Sequence, residues 1–229
     1  MRILRERLEV GATRAEGVVV IVDVIRAFTT AAFALDAGAT EIRLRASVAE
    51  ALAEKAREPS AFLMGEEGGA PPPGFDHGNS PALLVASAAS GRLRDRVVIQ
   101  RTGMGTRCAV AASRAVAIFG ASLVVASATA RAVLALRPEL VTLVESGGEL
   151  EGDDAVCDYI EGLLNAVPVD HAPLLRRVRD CWAARQLTER GLPHSPAEDL
   201  QRCLDVDRFS FAIRAERTPD RGLVAFRDG

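Results

Sequence analysis

The chain has 229 residues, of which 48% are hydrophobic and 26% charged, with a formal net charge of -3. That length buries a sizeable core without staples, and a nearly balanced, slightly acidic charge gives no electrostatic drive toward nucleic acid. The cysteines at 108, 157, 181 and 203 form no CxxC pair or zinc spacing, no apolar run reaches the ~18 residues of a membrane span, and MRILRERLEV has no signal-peptide core, so a reduced, soluble, cytoplasmic protein without nucleic-acid or membrane partners is expected.

VVVIV at 18–22 is a continuous apolar run ending at Asp23, as in a strand buried on both faces of a parallel sheet. AFTTAAFALDAG reads as a helix closed by Gly38. EIRLR at 41–45 predicts a strand, Ser47 an N-cap, and VAEALAEKARE a helix stopped by Pro59. AFLMG leads into an irregular segment, GEEGGAPPPGFDHGNSP at 65–81, and PALLVASAASG follows it as a helix. RVVIQ at 96–100 predicts a strand and TRCAVAASRA a helix, while SLVVAS and VTLVES are read as two more strands with the helix ATARAVLALR between them. In the last quarter HAPLLRRVRDCWAARQLTERG and PAEDLQRCLDV are helical, and FSFAIRAER with GLVAFRDG predicts a terminal β-hairpin. The alternation gives an α/β fold: a mostly parallel sheet covered by helices, built from βα repeats, with a helical segment and a β-hairpin at the C-terminus. One domain over residues 1–229 is the simplest organisation, and a C-terminal subdomain at 168–229 is the alternative.

In an open α/β sheet, ligands gather outside the carboxyl ends of the strands, where loops and helix N-termini converge. Four polar segments fall there: VDVIRAFTT (22–30), the 65–81 segment, QRTGMGTR (100–107) and GGELEGDDAVCD (147–158). A carboxylate at Asp23 can hold Mg²⁺ or attack phosphorus, and Arg26 can fork onto an anion; the plain alternative is a helix cap beside a surface arginine. The TGMGTR turn offers backbone N–H groups at a helix start, assisted by Arg101, Thr106 and Arg107, although glycines such as Gly105 suit any tight βα turn. No P-loop GKT or GKS and no complete GxGxxG occurs there.

Of Asp153 and Asp154, one is expected to cap the helix that follows and the other to be free for metal, with Asp158 in solvent. Cys157 is either a thiolate nucleophile at a helix start or a packed small side chain, and the lack of a C-x5-R loop favours packing. His171 and His194 are expected at the surface, while His77, among polar neighbours, is a candidate general acid. The 65–81 segment is longer than irregular segments without a task usually are. Its glycines allow close backbone approach, its prolines limit the entropy lost on ordering, and Glu66 and Asp76 offer hard oxygen ligands suited to Mg²⁺. Asn79 and Ser80 can donate to phosphate oxygens just before Pro81 opens a helix.

VVIVDVIRAFTTAAFALDAGA, GEEGGAPPPGFDHGNSP, TGMGTR, the GDDAVCDYIEGLL helix and DVDRFSFAIRAER occur in the order found in the 2-phosphosulfolactate phosphatase family, which the chain resembles over nearly its whole length. The resemblance implies a Mg²⁺-dependent hydrolase that converts 2-phospho-3-sulfolactate and water to 3-sulfolactate and phosphate, a step serving coenzyme M synthesis in archaea; bacterial relatives need not share that substrate. Asp23, Arg26, Asp76 and Arg107 are then the catalytic candidates, Asn79, Ser80, Arg101, Gly105 and Thr106 the phosphate-binding ones, and Asp23, Glu66, Asp76, Asp153 and Asp154 the metal ligands. The implied partner is a small anionic phosphorylated substrate, and a homodimer is left open. Two positions depart from the family's pattern: Glu67 stands where GERGG has Arg, and Met104 where TTNGTRA has Asn. Both fall on anion-facing loops, and they keep open a non-catalytic, phosphometabolite-binding or regulatory member of the family.

Overall fold

The computed structural model describes residues 1–147 and 150–229. In chain order its elements are β1 (Arg2–Arg7), α1 (Leu8–Ala12), β2 (Gly17–Val22), α2 (Ala27–Asp36), β3 (Glu41–Arg45), α3 (Val48–Arg57), β4 (Phe62–Gly65), α4 (Pro81–Ala88), β5 (Val97–Arg101), α5 (Gly105–Ala111) and β6 (Ala115–Ala121). A 3-10 turn at Leu123–Val125 leads into α6 (Ala126–Ala135), followed by β7 (Leu140–Glu145), α7 (Asp153–Leu164), α8 (His171–Asp180), α9 (Trp182–Glu189), α10 (Glu198–Cys203), β8 (Ala212–Thr218) and β9 (Gly222–Asp228). The strands form one nine-stranded sheet in the order β1-β7-β2-β6-β8-β9-β3-β5-β4. Among the described residues no helix is long and apolar enough to cross a membrane.

The period-two geometry of a strand explains why β2 reads as uninterrupted hydrophobicity. Val19 and Ile21 enter a core with Phe28 and Leu35 of α2, while Val18, Val20 and Val22 enter a second core with α6 and α7. Both faces of the strand are therefore covered by helices, and only its carboxyl end is left to chemistry.

The two parallel parts of the sheet, β1-β7-β2-β6 and β3-β5-β4, are joined by the C-terminal hairpin, which pairs antiparallel with β6 on one side and with β3 on the other. The hairpin is thus the bridge of the sheet rather than an appendage to it. Counting through its three antiparallel pairings, the two parallel parts run in opposite senses along the sheet. Their carboxyl ends nevertheless meet, since the Gln100 side-chain amide, next to the end of β5, donates to the Ala27 carbonyl at the start of α2 at 3.0 Å. Strand twist accounts for this: roughly 20–25° per neighbour, over the five steps from β2 to β5, turns the strand direction through on the order of 100–125°.

Two expectations change, and one strand goes unread in the sequence. SLVVAS is not a strand; the strand is the preceding AVAIFGA, and Leu123–Val125 forms the 3-10 turn. All three turn residues are fully buried, and a short buried apolar run looks alike in either conformation. The charged start of the chain is itself an edge strand, β1, paired parallel with β7. Its alternating arginines disguise it, as charge on an edge strand commonly does. The predicted helix at 171–191 is broken at Cys181, whose sulfur caps α9 by accepting from the Ala184 N–H at 3.4 Å.

Candidate active site

Asp23 closes β2 and is 6% exposed. Its Oδ1 accepts from the Ala27 N–H at 2.8 Å, fixing the carboxylate over the first turn of α2. Gly105, at the start of α5, lies against it: a Cβ there would come within 2.6 Å of Asp23 Oδ2, so only glycine lets the β5–α5 turn approach so closely. Asp153, at the start of α7 and 1% exposed, is held by the Val24 N–H at 2.9 Å, the Gly147 N–H at 2.9 Å and the Ser146 hydroxyl at 3.1 Å.

Glu66 follows β4. Its Oε2 accepts from the Gly69 N–H at 2.8 Å and its Oε1 from the Gly103 N–H. Gly69 belongs to the turn Glu67–Ala70, in which Gly68 and Gly69 have φ of 61° and 87°. Positive φ at both central positions is why EGGA carries two glycines.

These acids meet at the floor of a cleft of about 600 Å³ lined by Asp23, Arg26, Glu66, Gly68, Gly69, Asn79, Thr102, Met104 and Glu151, with a facing wall drawn from α9 and the segment after it. Burial pushes the Asp23 carboxyl up to about 6, against the Ala27, Ser146 and Gly105 bonds that pull it down and with Glu66 repelling it upward. Burial followed by repulsion from Asp23 raises Asp153 well above the ordinary range and Glu151 to about 7. Negative charge is thus concentrated where the protein supplies little to balance it.

Across the cleft, Arg26 is 8% exposed and its Nη1 donates to Asp199 Oδ2 at 2.5 Å. Asp199 is fully buried and also accepts from the Ser80 hydroxyl at 2.6 Å and the Ala82 N–H at 2.9 Å, tying α10 to α2 and to the start of α4.

The profile of the 2-phosphosulpholactate phosphatase family matches residues 5–217. The chain belongs to that family. A probable 2-phosphosulfolactate phosphatase of Bacillus subtilis strain 168 is 32% identical over 201 residues, 86% of each chain. One from Deinococcus radiodurans is 40% identical over 149 residues, covering 64% of this chain and 60% of the relative. One from Thermus thermophilus is 44% identical over 133 residues, covering 58% of this chain and 54% of the relative.

Within this 2-phosphosulpholactate phosphatase family member, Asp23, Arg26, Glu66 and Asn79 line the cleft and Asp153 lies buried beside Asp23. Other expected site residues are elsewhere. Asp76 accepts from Lys55 Nζ at 2.8 Å and from the Leu63 N–H at 2.9 Å, away from the cleft lining. Partial burial pushes its carboxyl up, but the Lys55 ammonium and Leu63 N–H outweigh that and hold its pKa below the usual value. Its carboxylate braces the 65–81 loop against Lys55 and β4.

Arg107 is exposed and pairs with Glu9 of α1, and Asp154 pairs with Arg177 of α8 at 2.5 Å. Ser80 caps α4, accepting from the Leu83 N–H at 3.1 Å, and spends its proton on Asp199. Arg101 donates to the Glu66 carbonyl at 2.7 Å and meets Glu67 at 3.1 Å, so it holds the loop from outside the cleft.

Thr106 is fully buried; its hydroxyl accepts from the Thr102 N–H at 2.8 Å and donates to the Thr102 carbonyl at 3.1 Å. The TGMGTR turn does bind anions, but they are the protein's own: Gly103 donates to Glu66, and Gly105 to Asp23. Cys157 is a packed side chain, with burial raising its thiol far from the thiolate range.

Glu151 and Asp199 were not singled out from the sequence. Glu151 sits in the polar segment after β7, the one available signal, while Asp199 resembles any acid in the first turn of a helix. Gly148 and Glu149 of that segment lie outside the described residues.

Among the described residues no three His, Cys, Asp or Glu side chains form a complete metal-binding set. The donors present still suit Mg²⁺, which takes hard oxygen ligands and is commonly held by one or two carboxylates together with waters and substrate phosphate. Asp23 and Glu151 are the ligands the cleft offers. Asp153 has its oxygens occupied by three protein donors and is placed to steady them.

Proposed function

We propose that the protein is a Mg²⁺-dependent phosphomonoester hydrolase acting on a small phosphorylated acid of the 2-phosphosulfolactate kind, releasing 3-sulfolactate and phosphate when that is the substrate. The observation that carries the reading is the charge imbalance of the cleft floor: Asp23, Glu66 and Glu151 line it, with Asp153 adjoining, against a buried Arg26 already shared with Asp199 and Arg190 on the facing wall. A phosphate dianion would be repelled by that floor unless a cation came with it. Mg²⁺ held by Asp23 and Glu151 would neutralise charge on the phosphoryl oxygens and acidify a water molecule.

The chain's own residues do the rest. Arg26, anchored from beneath by Asp199, presents a guanidinium whose orientation is fixed before substrate arrives, which lowers the entropy lost on binding. The Gly68–Gly69 turn and Asn79 close the near side, and the apolar side chains of Trp182, Leu187 and Leu192 limit water on the far side. Phosphate release from a panel of phosphomonoesters including 2-phospho-3-sulfolactate, measured after EDTA treatment and again with Mg²⁺, tests the reading. Turnover is expected only with the metal, and full turnover in its absence would remove the metal from the mechanism.

A further inference from the structure

The Nε2 atom of His194 is buried and has no hydrogen-bond partner among the described residues, yet its side chain lines the same cleft as Asp23 and Glu151. The ring is positioned by backbone contacts. Leu192 and Ser195 form an isolated bridge, with the Ser195 N–H donating to the Leu192 carbonyl at 2.9 Å. The His194 carbonyl packs on Gly78, where a Cβ would stand 3.7 Å from it. Next to Gly78, Asn79 is 5% exposed and its Oδ1 is a second buried polar atom without a partner. Two orphaned polar atoms, buried on two residues that line one cleft from adjoining segments, mark a place where a bound ligand can supply the missing partners.

The other histidines are committed elsewhere. His77, the candidate from sequence, is outside the lining, with Nδ1 at 2.8 Å from the Gly78 carbonyl and its ring 6.1 Å from that of Phe62. The His171 ring lies 5.1 Å from that of Tyr159.

We propose that His194 is the catalytic proton donor to the leaving oxygen, a role that rests on the phosphomonoesterase reading. As the ester P–O bond breaks, its electron pair stays on the ester oxygen, which takes the proton from Nε2. The attacking water forms the new P–O bond and gives up its proton to solvent. The imidazole regains a proton from solvent, so the sum is ester and water to alcohol and hydrogen phosphate. An alkoxide is a poor leaving group, and this assistance is worth roughly 10²–10⁴ in rate.

His194→Ala and His194→Gln are to be compared with wild type on 2-phospho-3-sulfolactate and on p-nitrophenyl phosphate, whose leaving group departs without a proton. The expected result is a fall in kcat of about 10²–10⁴ on the alkyl ester and of less than about tenfold on the aryl ester. Equal losses on both esters would show a structural role and overturn the proposal while leaving the phosphatase reading intact. Failure of the wild type to release phosphate from either ester would remove both. A measurement on unmutated protein covers the case of misfolded variants: with Mg²⁺ and inorganic phosphate added, the imidazole ¹⁵N signals of His194 should shift while those of His77 and His171 hold still. An unmoved His194 signal overturns the proposal.

Discussion

The floor of the cleft and its facing wall are built on different principles. On the floor, Asp23 and Glu66 sit just beyond strand ends and Asp153 at the start of α7, and all three are gripped by backbone N–H groups. On the wall, Trp182, Arg190 and His194 come from α9 and the loop behind it, and Trp182 is 52% exposed. The floor is built from carboxylates held by backbone N–H groups; the wall is polar and apolar by turns. A buried ion pair, Arg26–Asp199, is the joint between them. On the phosphatase reading, the chemistry is anchored where backbone N–H groups fix the side chains, and substrate choice falls to wall side chains that lie off the sheet.

Cutting the joint should have the largest effect. Asp199→Ala leaves the Arg26 guanidinium buried without its carboxylate and strips acceptors from Ser80 and the Ala82 N–H. Removing one partner of a buried pair costs about 3–5 kcal/mol. Urea unfolding of the variant should show an unfolding free energy lowered by that amount at unchanged slope, and a loss under about 1 kcal/mol would mean that the wall is not held through this pair.

Asp23→Asn separates chemistry from stability. On the phosphatase reading, losing the floor carboxylate should lower kcat/KM by about 10²–10³, or roughly 3–4 kcal/mol of transition-state stabilisation. Stability of the metal-free protein above pH 6 should instead rise, because an ionised Asp23 is disfavoured there by burial and by Glu66. A variant both inactive and less stable would make Asp23 a structural residue.

The same imbalance fixes a pH dependence. Asp23 at about 6 and Glu151 at about 7 stand above the value of about 4 expected in the unfolded chain, so the folded state holds protons more tightly. Their contribution to stability is complete below about pH 4 and is lost as pH rises through 6 to 7. In EDTA the melting temperature should therefore fall across that window, and Mg²⁺ should restore it by an increment that grows with pH, since binding displaces protons. A Mg²⁺ increment that is flat from pH 5 to 8 would place the metal away from these carboxylates.

How much of this could be read from sequence follows the same division. The apolar run ending at Asp23 made both the buried strand and the carboxylate at its cleft end legible, because strand periodicity and the carboxyl-end rule are local. Asp76 and Arg107 are paired with Lys55 and Glu9, which lie 21 and 98 positions away, and no local pattern reveals such a pairing. His194, expected at the surface, was misplaced for the same reason: nothing in GLPHSP shows the packing of its carbonyl on Gly78 or the burial of its ring nitrogen. The hairpin's place as the bridge of the sheet is likewise a matter of long-range pairing.

The smallest expected effect belongs to Glu67, one of the two departures from the family's pattern. Its carboxylate is 64% exposed and meets Arg101 Nη2 at 3.1 Å, and neither residue is on the cleft lining. An exposed pair of this kind is worth about 0–1 kcal/mol and weakens with salt. The main-chain carbonyl of Glu66 still holds Arg101 at 2.7 Å when Glu67 is changed, so the loop keeps its principal tie. Glu67→Gln should therefore change the unfolding free energy by less than about 1 kcal/mol and leave the ratio of kcat/KM between 2-phospho-3-sulfolactate and a neutral phosphomonoester within about twofold, less than about 0.5 kcal/mol. A tenfold change in that ratio would put the Glu67–Arg101 pair within reach of substrate, and the division between a fixed floor and a selective wall would have to be redrawn with the 65–81 loop on the selective side.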